Sequence, residues 1–140
     1  MKKAKTLEVR QEDVRNLKVH SEIREVGQRY VFSDSLNNPS GKIYTIVRRI
    51  TNLSSPSEFF IQPHAHNDDS LWLLIGQNED LTGLEVEVKI EDKTFNVKSP
   101  ASIYLPAGVK HTYRPVHGSG LYVNIVLTKG GDYNESLLEQ

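Results

Sequence analysis

Three histidines and an aspartate carry the densest chemistry of this chain. His64 and His66 lie within Pro63-His64-Ala65-His66-Asn67-Asp68-Asp69, and His111 ends Pro106-Ala107-Gly108-Val109-Lys110-His111. In a strand, side chains alternate between faces, so His64 and His66 point the same way, about 6.6 Å of rise apart. Asp69 lies just beyond and offers an oxygen. His111 belongs to another segment and reaches the same point only if a barrel or sandwich brings the two together. Imidazoles and a carboxylate converging inside a small β-domain are what a divalent metal needs. His20 and His117 have no partner at ligand spacing and are read as surface residues.

The elements that must position these groups read as short strands. Tyr30-Val31-Phe32 is a strand, and Ser33 to Gly41 a loop. Ile43 to Ile50 is rich in β-branched residues, Asn52 to Ser57 is a turn, and Glu58 to Gln62 leads as a strand into the HxH stretch. Leu71-Trp72-Leu73-Leu74-Ile75 is apolar on both faces, as in a covered central strand. Leu84 to Glu91 alternates apolar and charged, and Glu91-Asp92-Lys93 turns into Phe95-Asn96-Val97. Ser102 to Leu105 ends at the Pro106-Ala107-Gly108 turn. His111 to Arg114 resumes a strand, and Gly118-Ser119-Gly120 turns into Leu121 to Leu127. Before residue 30, Val14, Leu17 and Ile23 suit one side of a short helix, and Leu17-Lys18-Val19 suits a strand nearly as well. After residue 130 the chain is polar, read as a loose tail with a helical turn near Leu137-Leu138. Many short strands with little helix predict an all-β sandwich or barrel.

Composition narrows the function. A chain of 140 residues fits one domain and removes about 68–70% of its unfolded surface from water on folding. The 17 basic and 18 acidic residues leave a net charge of −1, so no global field attracts nucleic acid or an anionic membrane. The absence of cysteine excludes disulfides, iron–sulfur clusters, thiolate zinc sites and cysteine nucleophiles. The start, Met1 to Glu8, is charged and lacks the apolar core of a signal peptide, and Leu71 to Ile75 is far too short to span a bilayer. A soluble cytoplasmic protein is expected. No dinucleotide fingerprint, phosphate-binding loop or serine nucleophile elbow is present.

Taken together, these residues resemble the cupin superfamily. Its first motif has an HxH pair, a nearby Glu, six further residues and a Gly. Here His64-Ala65-His66 supplies the pair, and Asp69 is followed by six residues and Gly76. Its second motif, Pro-x-Gly-x-x-His, is matched in full by Pro106 to His111. The resemblance covers roughly residues 42–127, and the two motifs in order are far more specific than either alone. It implies a single cupin-type jelly-roll β-barrel over residues 31–130 with a metal in its mouth. Residues 1–30 are then an N-terminal extension packed on the barrel or on a second subunit, and residues 131–140 a C-terminal tail. His64, His66 and His111 carry over as ligands, with Asp69 as the acidic one. The chain departs from the pattern in having Asp for Glu, one methylene shorter, and one residue fewer between His66 and the acid, which makes Asp68 a competing candidate. Pro100 and Pro115 also stand where the family has Gly and Asn.

The polar pocket candidates are Gln62, Asp68, Tyr104, Tyr122 and Asn124. Arg48 and Arg49 are adjacent, so one faces inward on a central strand, where a guanidinium would suit a carboxylate or phosphate. Trp72 is assigned to packing between sheets or to a subunit contact. The ligand set suits Fe, Mn, Ni or Zn. Two functions compete: a metalloenzyme of oxygenase or isomerase type acting on a small polar metabolite, and a non-catalytic cupin that binds a small molecule or metal as a sensor or accessory protein. The resemblance also implies a homodimer, with residues 1–30 and Trp72 as candidate contacts.

Overall fold

The computed structural model describes residues 3–12, 18–19, 27–59 and 61–138. Within them the chain is all-β, with eight strands and one short helix: β1 (Arg10–Gln11), β2 (Arg29–Ser33), β3 (Tyr44–Leu53), β4 (Ser70–Gly76), β5 (Leu84–Ile90), β6 (Lys93–Lys98), β7 (Ala101–Leu105), β8 (His111–Val126) and α1 (Tyr133–Ser136). All pairings are antiparallel, in the order β1-β2-β3-β8-β4-β7, with β5 joining β8 to the β5–β6 hairpin. The result is a jelly-roll.

Alternation sets which side chains face the interior. In β5, Leu84, Val86 and Val88 are buried while the intervening glutamates are only half-buried. β4 buries Trp72 and Leu74 and leaves Leu71, Leu73 and Ile75 half-covered, so its apolar run serves both faces. β2 places Arg29 on the same inward face as Val31, and β3 turns Arg48 inward and Arg49 outward. The core is Val31, Tyr44, Ile46, Ile50, Trp72, Leu74, Val86, Val88, Leu105, Tyr113, Tyr122 and Val126 with their neighbours.

β8 organises the whole. His111 to Gly118 pairs with β5, and Gly120 to Val126 is flanked by both β3 and β4. The expected turn at Gly118-Ser119-Gly120 is instead a bend inside one continuous strand, because the glycines let β8 change partners without ending. Gly118 has φ of +92°, and a Cβ there would lie 1.8 Å from the Gly83 carbonyl oxygen. Gly118→Ala is therefore expected to destabilise the fold by at least about 2 kcal/mol, read by urea denaturation, through left-handed strain and a backbone collision.

Other expectations change. β3 runs on to Leu53, past the expected start of the turn at Asn52. Of the stretch expected as a strand before the HxH pair, the described residues Glu58, Phe59, Ile61 and Gln62 belong to no strand, and the flanking Pro56 and Pro63 cannot donate to a ladder. The HxH pair that follows makes isolated bridges, His64 to His111 and His66 to Leu137. Of the N-terminal extension, β1 lies along β2, and Arg10 and Glu12 pair with Asp34 and Arg29. The helix read from Val14, Leu17 and Ile23 falls outside the described residues. Lys18 and Val19 form a turn.

The tail is docked, contrary to the loose segment expected. Asn67 N–H donates to the Ser136 carbonyl at 2.6 Å and Leu138 N–H to the Ala65 carbonyl at 2.9 Å. Ser35 Oγ donates to Asp132 at 2.5 Å. Gly131, at φ of +80°, turns the chain into this path.

Candidate metal centre

His64 and His111 form an antiparallel bridge and exchange both backbone hydrogen bonds, His64 N–H to His111 O at 3.1 Å and His111 N–H to His64 O at 2.8 Å. Gly108 N–H donates to the His66 carbonyl at 2.8 Å. The turn of the second motif is thus sewn to the backbone of the first. All three imidazoles are buried, and one ring nitrogen from each lies within 4.8 Å of the others.

Two of the rings are already oriented. His64 Nδ1 donates to the Gln62 carbonyl at 2.7 Å, and His111 Nδ1 to the Val109 carbonyl at 2.9 Å. A carbonyl only accepts, so Nδ1 carries the proton and Nε2 presents its lone pair to the interior, the arrangement of metal-ligating histidines. Burial lowers the pKa of His64; burial and the neighbouring His64 pull His111 down to about 4. Both rings are neutral at neutral pH. The donor set fits a divalent ion.

These shifts make the metal-free protein acid-sensitive. Below pH 6.5 the unfolded His111 takes a proton that the folded ring refuses until about pH 4. Stability is full above pH 6.5, falls as pH drops through that window, and the loss from His111 is complete below its folded value, on the order of 3 kcal/mol. Urea unfolding between neutral pH and pH 4, compared with His111→Leu, is expected to show this slope and a shallower one in the variant, where the lowered pKa of His64 remains.

The carboxylates sit elsewhere. Asp69 accepts hydrogen bonds from the Tyr104 hydroxyl and, at 2.8 Å, from Ala107 N–H. These bonds hold its pKa below the usual carboxylate range. It clamps the two motif loops together from outside and does not join the histidines. The shorter gap after His66 leaves it on the rim. Asp68 accepts from Ser136 Oγ at 2.8 Å, so it ties down the tail. Tyr104 is 58% exposed and points away from the interior, and the Gln62 side chain is exposed, so that residue contributes only its carbonyl. His117 is exposed, and His20 lies outside the described residues.

Tyr122 and Asn124 do line the interior cavity beside His64 and His111, together with Arg29, Arg48, Trp72 and Tyr133. The cavity is small, about 20 Å³, room for about one water molecule. Two of its polar atoms, Asn124 Oδ1 and Trp72 Nε1, are buried without a hydrogen-bond partner among the described residues. Such atoms are costly unless something polar meets them. Both guanidiniums are buried, Arg29 over the Tyr44 ring and paired with Glu12, Arg48 donating to the Gly27 carbonyl at 3.2 Å. Trp72, expected between the sheets or at a subunit contact, is 2% exposed and meets His111, Tyr113 and Tyr122 edge-on at 5.4 Å, which rules out the subunit contact.

Arg29 and Tyr133 also line this cavity and are absent from the candidates that the sequence offered. Arg29 had a signal, since period two puts it on the face of Val31. Tyr133 had only its aromatic ring in a polar tail after Gly130-Gly131. It is buried, and its hydroxyl donates to His64 Nε2 at 2.8 Å.

Comparison with known proteins rests on structure. No protein-family model matches the sequence, and no curated protein matches it significantly. KdgF from Halomonas sp. is similar at 12% identity and a TM-score of 0.50, over 79% of this chain and 86% of that one. A cupin superfamily protein from Desulfitobacterium hafniense is similar at 16% identity and a TM-score of 0.51, over 78% and 84%. A variant of oxalate decarboxylase from Bacillus subtilis matches at 13% identity and a TM-score of 0.56, over 87% of this chain. The chain spans 30% of that enzyme's length. At such identities the likeness speaks to architecture alone, and with the jelly-roll and the three-histidine cluster it leads to one statement: this chain has the cupin fold.

Proposed function

We propose that the chain is a small metalloenzyme of oxygenase or isomerase type, acting on a small polar metabolite that carries a carboxylate. The observation that carries this reading is a buried cluster of three imidazoles, two of them oriented by backbone carbonyls and lining one cavity with a buried Arg48. His64, His66 and His111 would hold the ion. An imidazole set suits Fe, Ni or Zn better than Mn, which prefers oxygen donors. Bacillus subtilis oxalate decarboxylase has Mn(II) centres, so Mn stays among the ions to test. When bound, such an ion polarises a substrate oxygen or holds a small co-substrate beside it. Arg48 offers a charged fork to a carboxylate, Asn124 Oδ1 accepts from a substrate hydroxyl, and Trp72 Nε1 donates to a substrate oxygen. The aromatic wall of Trp72, Tyr113 and Tyr122 keeps water out.

The test is elemental analysis of purified protein, then oxygen uptake and isomerase assays with short-chain hydroxy and dicarboxylic acids after loading with Fe(II), Mn(II), Ni(II) or Zn(II). Metal-dependent turnover lost in Arg48→Met supports the enzyme. Metal binding without turnover supports the second reading, a sensor or accessory cupin, which the small size of the cavity favours. A cytoplasmic location belongs to the same proposal. So does a homodimer formed by sheet extension, since β6 is exposed except at Val97 and pairs only with β5 among the described residues. Elution as a monomer by light scattering at micromolar concentration would remove the dimer.

A further inference from the structure

The cupin pattern calls for an acidic oxygen ligand, and the residue at its place in this chain, Asp69, is tied to Tyr104 and Ala107 on the rim. We propose that Tyr133, delivered by the C-terminal segment, takes that place and completes a three-histidine, one-phenolate metal site. The proposal rests on the metal reading of the cluster and goes beyond it in naming the fourth ligand.

Geometry carries it. The Tyr133 hydroxyl lies 2.8 Å from His64 Nε2, the lone pair a metal would use. Two atoms bound to one ion at about 2.0–2.1 Å, roughly at a right angle, lie about 3 Å apart. The observed separation is already close to that of two ligands on one ion. The Tyr133 ring also stands edge-on to both His64 and His66, with centroids at 5.9 and 4.9 Å. The backbone is anchored on the loop that carries these histidines: Ser136 holds Asp68 and the Asn67 N–H, and Leu137 bridges His66. The tyrosine and the HxH pair therefore move as one unit.

Charge supports the same assignment. Three neutral imidazoles leave a divalent ion uncompensated in a cavity that also holds the buried guanidiniums of Arg29 and Arg48. An anionic oxygen offsets this, and no carboxylate joins the cluster among the described residues. Coordination breaks the Tyr133 O–H bond, forms an oxygen–metal bond and releases one proton to solvent. No oxidant or reductant is needed.

Metal-free protein is loaded with Fe(III) from its nitrilotriacetate complex, and iron content and the visible spectrum are recorded for the wild type, Tyr133→Phe and Tyr122→Phe. A phenolate-to-iron charge-transfer band is expected in the wild type and Tyr122→Phe and absent from Tyr133→Phe. Zn(II) affinity is expected to fall at least about tenfold in Tyr133→Phe. Circular dichroism reports whether this variant, which keeps its ring, stays folded. Iron bound without a band, or a band that survives Tyr133→Phe, overturns the proposal and leaves the three-histidine site standing. If neither Fe(III) nor Zn(II) binds the wild type, both fall.

Discussion

Replacing His64 and His66 together by Ala is expected to take bound metal from near-stoichiometric to background, while Asp69→Ala retains it. The double change removes two of the three inward imidazoles and leaves only His111 and the Tyr133 oxygen, and two ligands do not hold a divalent ion against water. The backbone hydrogen bonds between His64 and His111 survive, because they belong to the main chain and not to the rings. Asp69→Ala removes the clamp on Tyr104 and Ala107, so the second-motif turn loosens on the outside of the barrel. The histidines themselves stay seated through their own bridge and the Gly108-to-His66 bond. Elemental analysis of the three proteins, purified in parallel, checks both halves. Metal lost equally in Asp69→Ala would return the carboxylate to the ligand set.

Trp72→Ala is expected to remove about 3–5 kcal/mol of stability, a large share of the roughly 5–15 kcal/mol that holds a domain of this size together. Trp72 is among the largest fully buried side chains and stands between the imidazole of His111 and the stacked rings of Tyr113 and Tyr122, whose centroids are 4.0 Å apart. No single neighbour can collapse into the space it leaves. Trp72→Phe behaves differently. It keeps most of the ring contacts and deletes an indole N–H that lacks a partner among the described residues. The lost area is partly offset by the lost desolvation cost, and the variant should stay within about 1–2 kcal/mol of the parent. Urea unfolding of the metal-free proteins measures both. A Phe variant as unstable as the Ala variant would mean that Nε1 has a partner in solution.

The two expected turns of the β5–β8 region show how far local pattern reaches. Around Glu91-Asp92-Lys93 the alternation on both sides predicted a hairpin, and β5 and β6 pair there in register. Around Gly118-Ser119-Gly120 the same kind of signal predicted a turn, and the chain runs through it as one strand. The difference lies in what flanks each segment. β8 has β5 on one stretch and β3 with β4 on the next, and only long-range pairing decides whether a flexible point folds back or bends.

Sequence alone determined the all-β class, the interior face of β5 and the shared face of His64 and His66, and the cupin resemblance added His111 to them. Each depends on short-range periodicity or on residue types at fixed spacing, and a period of two survives any arrangement of strands. Tertiary structure decided where the acid and the tail lie. Whether a carboxylate three residues after His66 reaches the barrel interior depends on the path of one loop, and here Tyr104 and Ala107 capture it on the rim. The placement of Tyr133 depends on Gly131 turning the tail back over the mouth and on hydrogen bonds to residues some seventy positions earlier. A polar segment of ten residues carries no periodicity from which that path can be read.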